Sequence, residues 1–534
     1  MITNALQKRA YDIVGAALPF AIDPAKVTVE PDVSYIKSTI KIHDYAAGIM
    51  SAFGSVVEHL GVVRGLPAQT LKLNRRRCGF LINSLQLQFL NGYSNIIDTF
   101  PIAPDNGIYR TKDGRYVAMI MMHPHLRDAL LEFLQCPNSA RGIQAAVEKK
   151  TAQQIEDELG ALDLPCGIVR SPEEWHAHPQ GAATVNRRMI EFEQRGNARK
   201  RVLGKARYRP LEGVRVLELS HMVAGPTIGR LLAEQGADVI KLQPPVGDWM
   251  YPVWMDASWG KKNILLDIKG PNGKKRFVEL LASADVLVDS LRPTALSNAG
   301  FDEKTLLGIN PSLVHVNMRA FPKDTPWQNR RGFEQIAQAL SGIMHVHSAG
   351  MPEPTVIATL MDDYLCGYLG ATAAIAALAE REEKGGYWGV WSTLTGCATP
   401  APQFVEPLDA EPYAPVTMQD LVAHAIDQET PSGTFTRIAP AVEFSHTPSM
   451  AIRPTNYPGT DPDTIGWTEP SAKDSAPKLP HCLSRLAREG AIRNLVSCYG
   501  IEDRGDGKSS PVSFIGGLSL ASKQLREYAA AHRW

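Results

Sequence analysis

The stretch 210–241 constrains the fold more than any other part of the chain. Val214-Arg215-Val216-Leu217-Glu218-Leu219 carries the apolar alternation of a strand. Ala224-Gly225-Pro226 breaks that pattern, and Pro226 suits the first turn of a helix. Helical spacing runs on through Gln235, Gly236 ends it, and Asp238-Val239-Ile240-Lys241 opens a second strand. The pattern predicts a βαβ unit of the nucleotide-binding kind. It has no G-x-G-x-x-G string, so dinucleotide redox chemistry loses its main support.

A chain of 534 residues implies two to four domains. Its 56 basic and 56 acidic side chains cancel, which favours neither nucleic acid nor an anionic membrane surface. The basic run 187–209, centred on Arg199-Lys200-Arg201, reads as a solvated linker. No apolar run is expected to reach the ~18 residues of a membrane span. The N-terminus shows no charged-then-apolar leader, and His532-Arg533-Trp534 is no peroxisomal address. Seven irregularly spaced cysteines point to reduced thiols in a cytoplasmic protein. His345 and His347 have the spacing of alternate strand residues, with no third ligand near them, so no metal site is expected.

The chain also repeats itself. Asp44-Tyr45-Ala46-Ala47-Gly48 parallels Asp363-Tyr364-Leu365-Cys366-Gly367. Each enters a small-residue apolar helix, through Ser51-Ala52-Phe53-Gly54 and Ala371-Thr372-Ala373-Ala374. Each then reaches an arginine, glycine and a β-rich run: Arg64-Gly65 before Thr70-Leu71-Lys72-Leu73, and Arg381 with Gly385-Gly386 before Gly389-Val390-Trp391-Ser392.

Three strings resemble class III CoA-transferases of the formyl-CoA and carnitine-CoA type: 210–241, a Pro354-Thr355-Val356 strand leading into Asp363 and Gly367, and Arg331-Gly332-Phe333-Glu334 through Gly342. The resemblance implies an α/β fold, with a Rossmann-like large domain and a smaller α+β domain. Here the parts read as two incomplete copies in an unusual segment order. Residues 1–105 form a first-copy helical segment, 106–185 the small domain with a hairpin at Asp113-Gly114, and 186–209 a linker. Residues 210–400 form the CoA-binding domain with the nucleophile and 401–467 a C-terminal return, while 468–534 stay uninterpreted.

In that family an aspartate in a helix start, four residues before a glycine, is the nucleophile, which selects Asp363 over Asp362. The resemblance implies an acyl-CoA thioester and a carboxylic acid as substrates, no permanently bound cofactor and a homodimer. The doubled architecture offers completion within one chain instead. Asp363 also suits a helix N-cap. Asp44, in the matching place, reads as a capping residue or a vestige. Glu334 is the acidic partner. Related acyl-CoA racemases carry a histidine base where Phe333 stands, and phenylalanine cannot move a proton. CoA contacts are expected at His221, Val223 and Ala224 in the first βα turn, and at Lys241, Lys261, Lys262 and Arg292. The alternatives are an acyl-CoA racemase on the same fold and a catalytically silent CoA-binding protein.

Overall fold

The computed structural model describes residues 2–94, 106–198, 202–247 and 250–468. The centre of the basic run and all but Thr468 of the uninterpreted tail lie outside the described residues.

The chain is organised around a seven-stranded sheet. Its strands are β1 (Ile190–Arg195), β2 (Arg215–Leu219), β3 (Asp238–Gln243), β4 (Lys261–Leu265), β5 (Val286–Asp289), β6 (Val314–Arg319) and β7 (Tyr387–Thr393). They lie in the order β4-β3-β2-β5-β6-β7-β1. All pairs are parallel except β7 with β1 at the edge. The helix Ala224–Glu234 joins β2 to β3, so the expected βαβ unit forms with nearly the expected bounds. This mixed α/β architecture with a large parallel sheet matches the expected fold class.

The stretch expected as a linker supplies β1. Ile190 turns inward, and the charges around it are paired: Arg187 with Glu191, Lys323 with Glu193 and Arg195 with Glu303. Local ion pairing lets a basic segment join a sheet edge.

Five helices carry the rest of the argument: α1 (Ala5–Gly15), α2 (Ile42–Val63), α3 (Ala224–Glu234), α4 (Glu334–Ser341) and α5 (Met361–Lys384). Asp44 lies in the first turn of α2, and Asp363 in the first turn of α5. The two long helices pack together, α2 against α1 and α5 against α3. The matched glycines make these approaches possible. A Cβ on Gly48 would strike the Gln7 carbonyl, and one on Gly367 would lie 2.7 Å from Thr227 and 2.9 Å from the Ala224 carbonyl.

Each helix leads to a strand, but the strands join different sheets. That after α5 is β7; that after α2, Leu71–Asn74, pairs with Val27–Glu30 and with Glu443–Phe444 in a separate three-stranded sheet. Contrary to the expectation above, α2 is long and apolar enough to cross a membrane. Most of it is buried inside the protein, as befits a core helix hydrophobic all round.

The stretch expected as the small domain holds a three-stranded sheet, Asn106–Arg110, Tyr116–Ile120 and Cys166–Ile168, with helices Pro124–Leu134, Ala140–Val147 and Ala152–Ala161. The return segment contacts the large domain, with the Met450 amide bonding the Glu234 carbonyl and the Asp461 carboxylate accepting from the Asn263 amide. His345 and His347 lie on a short helix, Ile343–His347, not on a strand. Pro354-Thr355-Val356 also forms no strand. Gln338 of α4 holds this segment instead, through both the amide and the carbonyl of Ile357.

Candidate active site

A cavity of about 750 Å³ opens at the C-terminal ends of β2 and β5. The strand order reverses between these two strands, where parallel sheets leave a crevice for ligands. One wall is the first βα turn, residues 219–225, facing Ser290, Leu291 and Arg292 after β5. Met222 holds a left-handed conformation there, φ 61°, a strain of about 1–2 kcal/mol that the fold must sustain. A Cβ on Gly225 would collide with Ser290, so the turn closes against the neighbouring strand end. The opposite wall comes from the small domain, with Met122, His123, His125 and Leu126.

Asp363 lines this cavity and Asp362 does not. The helix begins at Met361 with Leu360 as its N-cap, so Asp363 is its third residue and caps nothing. Glu334 does that work. Its Oε2 accepts the Asp363 amide at 2.8 Å, and its Oε1 accepts from Gln338 at 2.7 Å. The Asp363 carboxylate is thereby released toward the cavity, and no hydrogen bond holds it among the described residues.

Three carboxyl groups share this corner. Burial pushes Asp363 above the ordinary carboxylate range. Burial and the charge of Asp363 push Glu334 up as well. Asp362 is fully buried, its two oxygens lack hydrogen-bond partners among the described residues, and burial with the charges of Glu334 and Asp363 raises it well above the ordinary carboxylate range. Like charges this close cannot all ionise at once, so the three carboxyl groups titrate together.

The expected CoA contacts divide. His221, Val223, Ala224 and Arg292 line the cavity. Lys241, Lys261 and Lys262 do not. Lys241 and Lys261 flank the buried Glu218 at 2.8 and 2.7 Å, beneath the βα turn. Burial lowers Lys261 to about 7 despite that partner. Lys262 faces Asp238 at 2.8 Å and also bonds the Gly466 carbonyl and Thr468. A carboxylate already compensates each lysine, so these three hold strands together.

Other cations line the cavity: Lys269, Arg319, Arg330 and Arg331. Asp163 of the small domain gathers Arg292 and Arg331, the latter at 3.2 Å. Arg331 was visible in the family string, but nothing local ties it to Asp163, 168 positions away. His123 was missed too. Its ring centroid lies 6.0 Å from those of both His221 and Phe333, bringing an imidazole to the place where phenylalanine supplies none. Its only sequence signal was its position just before the small-domain helix. His347 meets Ser38 at 2.9 Å, and the described residues hold no cluster suited to a metal.

Asp44 is otherwise committed. Arg75 grips it with two bonds, at 2.8 and 2.7 Å, and Gln7 donates a third at 2.8 Å. It is an ion-pair partner in the core rather than a capping residue.

The model of CoA-transferase family III matches residues 5–202 and 211–391. An acetyl-coenzyme A transferase of Hypoxylon pulicicidum is 35% identical over 188 residues, 34% of this chain and 32% of that protein. The beta subunit of a succinyl-CoA–L-malate CoA-transferase of Chloroflexus aurantiacus is 34% identical over 191 residues, 33% of this chain and 47% of its own. The chain thus spans a third to a half of the length of these curated relatives. A CAIB/BAIF family protein from Brucella suis has a solved structure that is 27% identical, with a TM-score of 0.35, covering 43% of this chain and 65% of that one. By the extent of the family match, the chain belongs to CoA-transferase family III.

Proposed function

We propose that this chain moves CoA from an acyl-CoA thioester to a free carboxylic acid through a covalent intermediate on Asp363. The observation that carries the reading is the Asp363 carboxylate, half-buried, without a hydrogen bond among the described residues and lining the cavity. A carboxylate is a weak nucleophile, and removing its hydration raises its reactivity. Asp363 attacks the thioester carbonyl, the C–S bond breaks, and CoA leaves as thiolate. A mixed anhydride forms. The thiolate then attacks the aspartyl carbonyl, which releases the first acid and leaves an aspartyl-CoA thioester. The acceptor carboxylate attacks that thioester, thiolate departs again, and its return to the acceptor's carbonyl restores Asp363. Atoms and charges balance without ATP, a metal or a redox cofactor. His221, Val223, Ala224 and Arg292 face the CoA, with Lys269 and Arg331 added to the phosphate-binding set.

Incubating the chain with acyl-CoAs and weighing the intact protein tests this. An adduct with the mass of acyl or CoA should form, be cleared by hydroxylamine and map to the peptide holding Asp363. No adduct and no turnover with any donor would make it a silent CoA-binding protein.

Because the nucleophile must be an anion, kcat/KM should rise from acid toward neutral pH. The midpoint should lie above the usual carboxylate range, since burial raises Asp363. A profile flat from pH 5 upward would contradict the desolvated carboxylate. Glu334→Ala removes the acceptor of the Asp363 amide, and kcat should drop about a hundredfold through misplacement of the helix start. Glu334→Gln keeps an acceptor oxygen and should recover most of that loss.

With Phe333 in place of a base, a chiral 2-methylacyl-CoA in deuterated water should keep its α-hydrogen. Deuterium uptake at a catalytic rate would revive the racemase reading and point to His123, the imidazole beside Phe333.

The family match in two stretches and the paired helices α2 and α5 support descent from two incomplete copies. The domain bounds fit that reading once β1 is moved from the linker to the large sheet. The small-domain wall and Asp363 meet within one chain, so we expect a homodimer whose subunits each hold a whole site. Activity per chain should then survive dilution to monomers, as light scattering would show. Free thiols at Cys78, Cys136, Cys166, Cys366 and Cys397 support a reducing, cytoplasmic setting.

A further inference from the structure

Apolar side chains form much of the lining of the cavity that holds Asp363. Leu360 caps the nucleophile's helix and lines the cavity. One residue beyond Asp363, the Tyr364 hydroxyl accepts the Leu85 amide at 2.9 Å and donates to Asp256 at 2.8 Å. Those two bonds tie Leu85 and the helix Tyr251–Ala257 to the first turns of α5, and that helix presents Val253 to the cavity. Phe333 lies next to Glu334, which holds the Asp363 amide. Leu394 and Met318 extend the same lining.

The cationic side chains of the cavity are held elsewhere. Asp163 engages Arg292 and Arg331 at the small domain. Arg319 is bound to Asp289 at 2.5 Å and to Asn317 at 2.9 Å. Arg330 lies 4.2 Å over the Trp327 ring. Lys269 follows β4, the edge strand, two places from β2 in the sheet. The arginines of the cavity thus already have partners, while Leu360 at the start of α5 and Phe333 beside Glu334 bring apolar surface to the nucleophile.

We infer that the acyl group carried at this site is apolar: an aliphatic or aryl monocarboxylate rather than a dicarboxylate. The inference rests on the transferase reading and adds a substrate class to it. A second carboxylate against Leu85, Val253 and Leu360 would lose its hydration to apolar surface, while an alkyl chain gains from the same burial. The phosphates of CoA belong with the arginines.

Two measurements separate this inference from the reading beneath it. Pentanoyl-CoA and succinyl-CoA are nearly isosteric and differ by the terminal charge. Asp363→Asn protein, which does not turn over, should bind pentanoyl-CoA about a hundredfold more tightly by calorimetry. Equal affinities, or tighter succinyl-CoA, overturn the apolar class. If pentanoyl-CoA binds more tightly but the wild type forms no adduct with any donor, the transferase reading fails and the apolar wall stands. As a gain-of-function arm, Val253→Lys supplies the missing cation and should shift the ratio toward succinyl-CoA by tenfold or more. Met318→Lys replaces it if the first variant does not fold. An unmoved ratio in a folded variant overturns the inference.

Discussion

Asp363→Asn should fold, bind CoA thioesters and lose transfer by several orders of magnitude. Asparagine matches aspartate in shape, so α5 and its amide bond to Glu334 are kept. What is lost is the nucleophile. An amide cannot form the mixed anhydride, and the reaction forfeits its covalent route, about 4–8 kcal/mol in barrier. Removing this charge also relieves Glu334, which burial and Asp363 hold above the ordinary carboxylate range. The folded state should therefore gain stability toward neutral pH. A carboxyl raised in the folded state has its penalty absent below its unfolded value and fully felt above its folded one. Deleting Asp363 should flatten the decline of stability with rising pH across that window. Chemical denaturation at pH 5 and pH 8 reads the second effect, and single-turnover assay with intact mass reads the first. Wild-type turnover in Asp363→Asn would refute the mechanism, and adducts mapping to Asp44 would move it to that residue.

The βαβ opening and Asp363 were legible because both are written in contiguous residues. A strand, a Pro-bearing helix start and a glycine stop need no knowledge of distant chain. The lysines were misread for the opposite reason. Lys241, Lys261 and Lys262 stand where a phosphate contact is plausible, and only the parallel register shows that Glu218 and Asp238 lie beside them. One signal was present: Glu218 interrupts a strand buried on both faces, and a carboxylate there requires a buried cation. Asp163 gathering Arg292 and Arg331 gave no such signal, since the contact joins two domains. The unpaired segment at Pro354 is docked by Gln338 through Ile357, which overrides a strand-like string, and Ile343–His347 forms a helix after the left-handed Gly342. In α2 the apolar run was broken visually by Asp44, Ser51 and Glu58, yet each sits buried in the folded core.

The resemblance of Asp44 to a nucleophile ends at Arg75, and the energetic consequence is asymmetric. The Arg75 guanidinium and the Asp44 carboxylate are both almost fully buried. Arg75 has a second anion, Glu411 at 2.5 Å, whereas Asp44 keeps only the Gln7 amide once Arg75 is gone. Arg75→Met therefore strands a buried carboxylate and should cost about 3–5 kcal/mol of stability. Asp44→Asn leaves the guanidinium partly compensated and should cost less, about 1–3 kcal/mol. The double substitution should cost less than the sum of the two, because the second change removes the charge that the first left unpaired. Urea unfolding midpoints at constant slope measure all three. Turnover per folded molecule should stay near wild type in Asp44→Asn, since its carboxylate is turned to Arg75 and does not line the cavity. If Asp44→Asn lost transfer without losing stability, Asp44 would belong to a working site and the ion pair would be its resting state.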